Sequence, residues 1–202
     1  MRVRRVGRRA LLIECTSADS AQAWRAALWQ RREQGELDAE EIVPGERTVL
    51  LDGVDPAVRE RLAGWAPDDA APVGTGPLVE IPTTFDGADL AYVADLWGIS
   101  GEAAVDRLTE TQFTVAFCGF APGFAYMRGL RDEWSVPRLD APRARVPAGA
   151  VALAGAYAGI YPTASPGGWR LVGHTDQPLF DVRDEPPALL SPGTRVRLAA
   201  IR

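Results

Sequence analysis

FCGFAPGFAYMRGL at residues 117–130 and VPRLDAPRARVPAGAVALAGAYAGIYPTASPGGWRLVGHTD at residues 136–176 form the stretch whose reading decides the fold. Gly and Pro recur every few residues, yet aromatic side chains are spread through it and no long charge run interrupts it. Disordered segments are poor in aromatic and β-branched residues, so this one is expected to be ordered. Gly permits backbone angles that a β-carbon forbids and Pro fixes φ, so these residues dictate the path of loops. Three clusters stand out. Gly119-Phe120-Ala121-Pro122-Gly123-Phe124 reads as a tight turn between aromatics. Pro137-Arg138 and Pro142-Arg143 put two guanidinium groups on short rigid segments. Tyr161-Pro162, with Pro166-Gly167-Gly168-Trp169 after it, reads as a second rigid loop.

These residues resemble the pattern of the allophanate hydrolase subunit 1 domain family, to which the 5-oxoprolinase B subunit, together with the kinase inhibitor KipI, belongs. The family pattern runs GFxPGFxY, then PR-x-x-x-PR-x-x-VPAGSV, then YP-x-x-SPGGW and G-x-T. The chain departs from it at Ala150, where Ser is usual, and at His174, where Arg is usual. Upstream, Phe85-Asp86-Gly87-Ala88-Asp89-Leu90 extends the likeness; Leu108 stands where a His is common, five residues before Phe113. The resemblance implies an α+β chain, with a small N-terminal two-layer α/β domain followed by a cyclophilin-like β-barrel. It also implies a part in ATP-dependent hydrolysis of 5-oxo-L-proline to L-glutamate. The partners implied are the A and C subunits of that enzyme, the latter carrying the allophanate hydrolase subunit 2 domain. ATP with Mg would be bound by the assembled complex. The family's other activities, inhibition of a sensor histidine kinase and urea or allophanate processing, are the alternatives.

Composition narrows the chemistry. The 202 residues are 47% hydrophobic, enough for one large or two small cores. The net charge is −5 and no basic patch follows Arg9, which argues against nucleic acid as a partner. No apolar run approaches the roughly 20 residues of a membrane helix. The apolar run Ala10–Ile13 is too short for a signal-peptide core, so a cytoplasmic location is expected. All 22 basic residues are Arg. The absence of Lys excludes a P-loop lysine, a Schiff-base lysine and a lysine base. A single His and two distant Cys predict neither a metal site nor a disulfide framework.

Outward from the central stretch, residues 2–13 read as a hairpin around Gly7 and Ser17–Gln34 as a helix stopped by Gly35. Ile42–Pro44 and Thr48–Leu51 read as strands, and Asp55-Pro56 as the start of a second helix. The order ββαββα predicts a two-layer domain over residues 1–75. Residues 66–76 (APDDAAPVGTG) form the expected linker, and the second domain spans residues 76–202. There, a strand over Leu78–Pro82, helices over Gly87–Leu96 and from Ser100 to about Leu108, and strands over Gln112–Gly119, Val151–Ala154, Trp169–Val172 and Arg195–Ile201 predict a closed or nearly closed barrel.

Candidate site residues follow from chemistry and from the family pattern together. Guanidinium groups are preferred bidentate partners of carboxylate and phosphate. Two Pro-Arg dipeptides alone would as readily make ion pairs with Asp132, Glu133 or Asp140; the family pattern favours an anion-binding role for at least one of Arg138 and Arg143. His174, the single imidazole, is a candidate binding group through its charge or its hydrogen bonds. Ser165 and Asp176 would complete a triad with it on paper, but Ser165 lies in no nucleophile elbow. Phe120, Phe124, Tyr126, Tyr161 and Trp169 are expected in a core or as a pocket wall, and Gly123, Gly167 and Gly168 as sources of backbone N–H groups. Asp86 and Asp89 read first as helix-start carboxylates, with acid/base work as the secondary reading. Cys118 reads as a buried, inert thiol. No catalytic residue is assigned.

Overall fold

The computed structural model describes residues 1–65, 67 and 76–201. The chain divides into two compact units, Met1–Val73 and Gly74–Arg202. The expected linker over 66–76 lies outside the described residues except at Pro67 and Gly76.

In the first unit β1 (Arg2–Val6) and β2 (Ala10–Glu14) pair as an antiparallel hairpin. Helix α1 (Ala18–Glu33) begins where Ser17 Oγ accepts the Ser20 amide at 3.1 Å. β3 (Glu41–Pro44), β4 (Thr48–Asp52) and the short α2 (Val58–Leu62) follow. The strands pair in the order β1-β2-β4-β3. Ala21, Trp24 and Leu28 of α1 share a core with Leu11, Ile13, Val49 and Leu51, the alternate residues of β2 and β4. The second helix starts later than Asp55-Pro56 predicts. The Asp55 carboxylate accepts the Ala57 amide at 2.8 Å, and Val58 and Arg59 donate back to the Asp55 and Pro56 carbonyls. A tight turn therefore precedes the helix.

The second unit contains β5 (Leu78–Thr83), α3 (Leu90–Trp97), α4 (Gly101–Glu110), β6 (Phe113–Cys118), β7 (Ala125–Arg128), a 3₁₀ turn (Asp132–Trp134), β8 (Arg143–Val146), β9 (Ala150–Ala154), β10 (Tyr157–Ile160), β11 (Ser165–Gly167), β12 (Arg170–His174) and β13 (Arg195–Ala200). Seven strands form one mixed sheet in the order β12-β9-β10-β7-β6-β13-β5, with β13 and β5 parallel. The sheet curls until its edges meet. Thr84 and His174 exchange backbone hydrogen bonds of 2.9 and 2.8 Å, and the Gly87 and Asp89 amides bond to Val172 and Leu171 carbonyls. This nearly closes the barrel, which is the cyclophilin-like architecture expected. It also explains why α3 begins at Leu90 and not at Gly87: the chain up to Asp89 is still paired with β12.

Val115, Met127, Val151, Leu153, Ile160, Val172, Val196 and Leu198 fill the barrel core. Strand side chains alternate between faces, so Tyr126, Ala150, Ala152, Tyr157 and Leu171 point to the other face and pack with Phe124, Tyr161 and Trp169. Helix α4 starts as expected, Ser100 Oγ accepting the Ala103 amide at 3.1 Å, and Leu108 is fully buried in the barrel core. β8 and β11 pair as a separate ribbon, so part of the SPGG segment read as loop is strand. Among the described residues, no helix is long and apolar enough to cross a membrane.

Candidate functional site

The face opposite the barrel core carries a continuous cluster of seven rings. Phe117 stacks on Tyr126 with centroids 4.3 Å apart. Phe124 meets Phe120, Tyr126, Tyr161 and Trp169 edge-on at 5.1–5.4 Å, and Tyr157 joins through Phe117 and Tyr126. Tyr126 and Tyr157 reach this face by the two-residue period of their strands; Phe117, on the adjacent strand, reaches it because the pairing of β6 with β7 shifts register between Val115 and Phe117, and Gly159 leaves room among them. A β-carbon at Gly159 would sit 2.9 Å from both Phe124 Cζ and Trp169 Cζ3. Gly167 is needed for the same reason, since a β-carbon there would overlap the Tyr161 ring and hydroxyl. The loops at residues 119–124 and 166–169 thus meet over one face. Phe117, Tyr157 and Gly159 were not singled out from the sequence; the alternation in β10 is the signal that marks Tyr157 and Gly159, whereas the register shift that turns Phe117 to this face has no local signal.

Phe120 differs from its neighbours. Phe124 and Tyr161 are each 2% exposed, whereas Phe120 is 61% exposed. Its φ of +71° makes it the sole non-glycine residue in the left-handed region among the described residues. For a bulky side chain that conformation costs roughly 1–3 kcal/mol and persists where surrounding contacts impose it. Here the loop is closed by Gly119 N–H to Phe124 O at 3.2 Å, Phe124 N–H to Ala121 O at 3.0 Å and Ala121 N–H to Gly119 O at 2.8 Å.

The two Pro-Arg dipeptides part company in space. Arg143 Nη2 lies 2.9 Å from both oxygens of Asp89, and its Nη1 donates to the Trp169 carbonyl at 3.3 Å. Asp89, 7% exposed, also accepts the Leu171 amide at 2.7 Å and pairs with Arg170 at 3.7 Å. Arg170 in turn lies 3.8 Å over the Tyr92 ring. The partner of Arg143 is therefore Asp89 and none of Asp132, Glu133 or Asp140. Asp89 occupies the N-cap position of α3 but makes no side-chain cap bond, so its carboxylate serves this cluster and not the helix. Arg138 is exposed and, among the described residues, its guanidinium has no hydrogen bond or ion pair. It borders Gly168, where a β-carbon would lie 3.6 Å from Nη2.

Electrostatics tie Arg138 to the rings. Burial pushes the Tyr126 and Tyr161 phenols above their ordinary pKa, and the Arg138 charge opposes this at both. The Tyr161 hydroxyl is also hydrogen-bonded to the Trp169 backbone. At neutral pH both hydroxyls are protonated dipoles beside a free cation. Such a group can hold and orient an anion or a polar planar ligand; it holds no acid or base ready to move a proton.

His174 and Asp86 lie further along β12. His174 is paired across the sheet with Ala150, which places it on the ring-bearing face, and its Nδ1 is 2.8 Å from Asp86 Oδ1. Both are substantially exposed, so the pair is a surface contact. Gly123 is buried with φ +82° and is packed against Phe180. Cys118 is partly buried, its Sγ 3.4 Å from the Leu190 carbonyl. A separate open groove of about 620 Å³ runs beside α4 and the 3₁₀ turn, lined in part by Asp106, Arg107, Arg131 and Trp134. None of the candidate residues reaches it. Its guanidinium groups stack on Trp134, Arg107 at 4.0 Å and Arg131 at 5.2 Å.

Comparison with known proteins sets this geometry in a family. A family model for the carboxyltransferase domain, subdomain C and D, matches residues 1–190. The chain is 36% identical over 204 residues to the 5-oxoprolinase B subunit of Escherichia coli O157:H7, covering 95% of this chain and 92% of that protein. It is 38% identical over 184 residues to the 5-oxoprolinase B subunit of Haemophilus influenzae, covering 87% and 84%. Among solved structures, TTHA0988 superposes with a TM-score of 0.79 at 32% identity, over 96% of this chain and 40% of that one. The urea carboxylase of Kluyveromyces lactis shares the fold, with a TM-score of 0.74 at 20% identity over 99% of this chain and 22% of that one. The chain thus spans less than half the length of either solved protein. It belongs to the carboxyltransferase domain family, subdomain C and D.

Proposed function

We propose that this family member is the B subunit of a 5-oxoprolinase, the multi-subunit enzyme that opens 5-oxo-L-proline to L-glutamate at the expense of ATP. The observation that carries the reading is the E. coli O157:H7 relative, a 5-oxoprolinase B subunit that is 36% identical over nearly the whole of both chains. The partners are the A and C subunits, and the assembly works in the cytoplasm.

The reaction is hard because a lactam is a resonance-stabilised amide and a poor electrophile. Phosphorylating its oxygen makes the ring carbon open to water. The adduct collapses by breaking the ring C–N bond, with the protonated amine as leaving group. Hydrolysis of the resulting acyl phosphate releases glutamate and phosphate. Cationic donors and fixed dipoles at the phosphate and at the substrate carboxylate lower the barrier. We assign those tasks to Arg138, as the free guanidinium, and to the Tyr126 and Tyr161 hydroxyls as donors. The rings of Phe120, Phe124 and Trp169 form a wall against which a flat lactam can lie. Arg143 and Asp89 are positioning residues: their ion pair holds the Trp169 carbonyl, and so the Gly167-Gly168-Trp169 turn, against β12. His174, with Asp86, is a peripheral binding group. Among the described residues no group of three or more His, Cys, Asp or Glu converges as a metal site, so we assign Mg, the nucleotide and the base that activates water to the assembled complex.

The test is co-expression with the A and C subunits, followed by an assay of 5-oxoproline-dependent ADP release. The complex turns over and the chain alone does not. Turnover by the isolated chain would refute the subunit reading; an inert, correctly assembled complex would refute the enzyme reading.

A further inference from the structure

The geometry points to the groove beside α4 as a binding site for an acidic α-amino acid, separate from the ring-bearing face. The inference stands on the groove alone and does not rest on the subunit reading.

The groove, about 620 Å³ and open to solvent, lies wholly within the second unit. It forms where the end of α4 meets the segment after β7. A β-carbon on Gly129 would stand 2.8 Å from the Gln112 carbonyl oxygen and 3.0 Å from the Phe113 ring, so glycine permits this approach. Arg107, in the last turn of α4, lies over the Trp134 ring at 4.0 Å and the Trp97 ring at 5.4 Å. Trp97 Nε1 donates to the Trp134 carbonyl at 3.1 Å, which fixes the two rings as a mount for the guanidinium. Arg131 lies over Trp134 at 5.2 Å, so a second guanidinium shares that ring.

The charges here are unmatched. Among the described residues the Arg107 guanidinium has no hydrogen bond or ion pair, and its Nη1 is closed off from water. Desolvated charges are ordinarily paired, because one without a counter-ion is costly. Partial burial also weakens the screening of that charge and strengthens its pull on an anion in the groove. Asp106 and Glu110 line the same groove one helical turn apart, both exposed. Neither carboxylate has an ion pair or side-chain hydrogen bond among the described residues. Arg131 meets Glu133 only through an exposed contact at 3.4 Å.

A ligand that satisfies both sets of charges carries carboxylate and ammonium together. An α-amino acid does so, and a second carboxylate on its side chain gives each guanidinium its own planar partner. The carboxylates meet Arg107 and Arg131; the ammonium meets Asp106 and Glu110. Glu110 is the last residue of α4, where the helix dipole also favours a cation. A phosphate or nucleotide would instead set its charge against the two acids.

The experiment is calorimetric titration of the full chain with L-glutamate, and with glutarate, which has both carboxylates and no ammonium. The wild type binds L-glutamate and binds glutarate at least about 10-fold more weakly. Arg131→Gln, and the double change Asp106→Asn with Glu110→Gln, each weaken L-glutamate by about 10-fold or more, as expected for loss of a charged hydrogen bond. These three residues are exposed, so the variants melt like the wild type. Arg107→Met, which keeps a long chain against the rings and removes the charge, abolishes binding. If the wild type does not bind L-glutamate at millimolar concentration, the site is overturned. If Arg138→Ala abolishes binding while R131Q and the double variant bind like the wild type, L-glutamate sits on the ring-bearing face and the inference is wrong. If glutarate binds as tightly as L-glutamate, the acids play no part and the amino-acid assignment falls. None of these outcomes alters ADP release by the assembled complex, which tests the subunit reading separately.

Discussion

Replacing Asp89 by Ala tests the framework behind the site. Asp89 is 7% exposed, and its two oxygens serve Arg143 at 2.9 Å, the Leu171 amide at 2.7 Å and Arg170 at 3.7 Å. Truncation leaves a part-buried guanidinium without its carboxylate and a strand amide without its acceptor. Removing one partner of a buried pair costs about 3–5 kcal/mol. Arg143 and Arg170 side chains are 29% and 16% exposed, so water recovers part of that loss and about 3 kcal/mol is expected. For a unit of this size, that lowers Tm by about 10 °C. Asp89→Asn keeps an acceptor for Leu171 while losing the charge, so its cost is about half. Calorimetry of the three proteins reads the unfolding of the second unit directly. The assembled D89N complex should lose turnover as well, because Arg143 no longer holds the Trp169 carbonyl. A D89A protein melting within about 2 °C of wild type would mean that Asp89 and Arg143 do not fix the loop.

Arg138→Ala should leave the melt unchanged, since an exposed, unpaired guanidinium contributes little to folding, yet lower ADP release by the complex about 100- to 1,000-fold; Arg138→Lys should rescue poorly because an ammonium lacks the planar fork, and unchanged kinetics for both would remove Arg138 from the site. Gly167→Ala should destabilise by about 1–3 kcal/mol, because its methyl group meets the Tyr161 ring; a melt equal to wild type would show that the turn has slack. The Tyr126 and Tyr161 phenols are raised above the ordinary value of about 10 by burial. The folded state then holds protons that the unfolded chain has lost, so stability falls as pH climbs from the ordinary phenol value through the raised folded values. Melts across that alkaline range should show Tyr161→Phe losing less stability than wild type, and an equal loss in both would contradict the assignment. His174→Arg, which keeps a nitrogen partner for the Asp86 carboxylate, should preserve both the melt and turnover; loss of turnover at an intact melt would give His174 a role beyond that contact.

Local signals carried far along this chain. Ser17 and Ser100 precede amphipathic runs and cap α1 and α4 through their hydroxyls. The apolar run at Phe113–Cys118 is β6. The spacing of Gly and Pro in the central stretch marked the two loops that meet over the rings, and the family pattern named most of the residues there. These features are legible because each depends on a few neighbouring residues and on short-range sterics. Local signals misled where the chain pairs at a distance: Gly87–Asp89 has helix-start chemistry, yet its amides are taken by β12.

The two Pro-Arg dipeptides show the limit most sharply. Their sequences are alike, and both sit near acidic residues that could have paired with them. Tertiary structure separates them: closure of the barrel between Thr84 and His174 carries Asp89 to Leu171 and to Arg143, 54 residues from it in sequence. Arg143 is thereby neutralised and half-buried, while Arg138, five residues earlier, keeps an unpaired charge above the rings. No local rule reads that difference, because the register of the closing strands decides which guanidinium meets a carboxylate. Composition and motif determined the kind of groups available to this protein; the long-range pairing of β12 decided which of them remains free to bind.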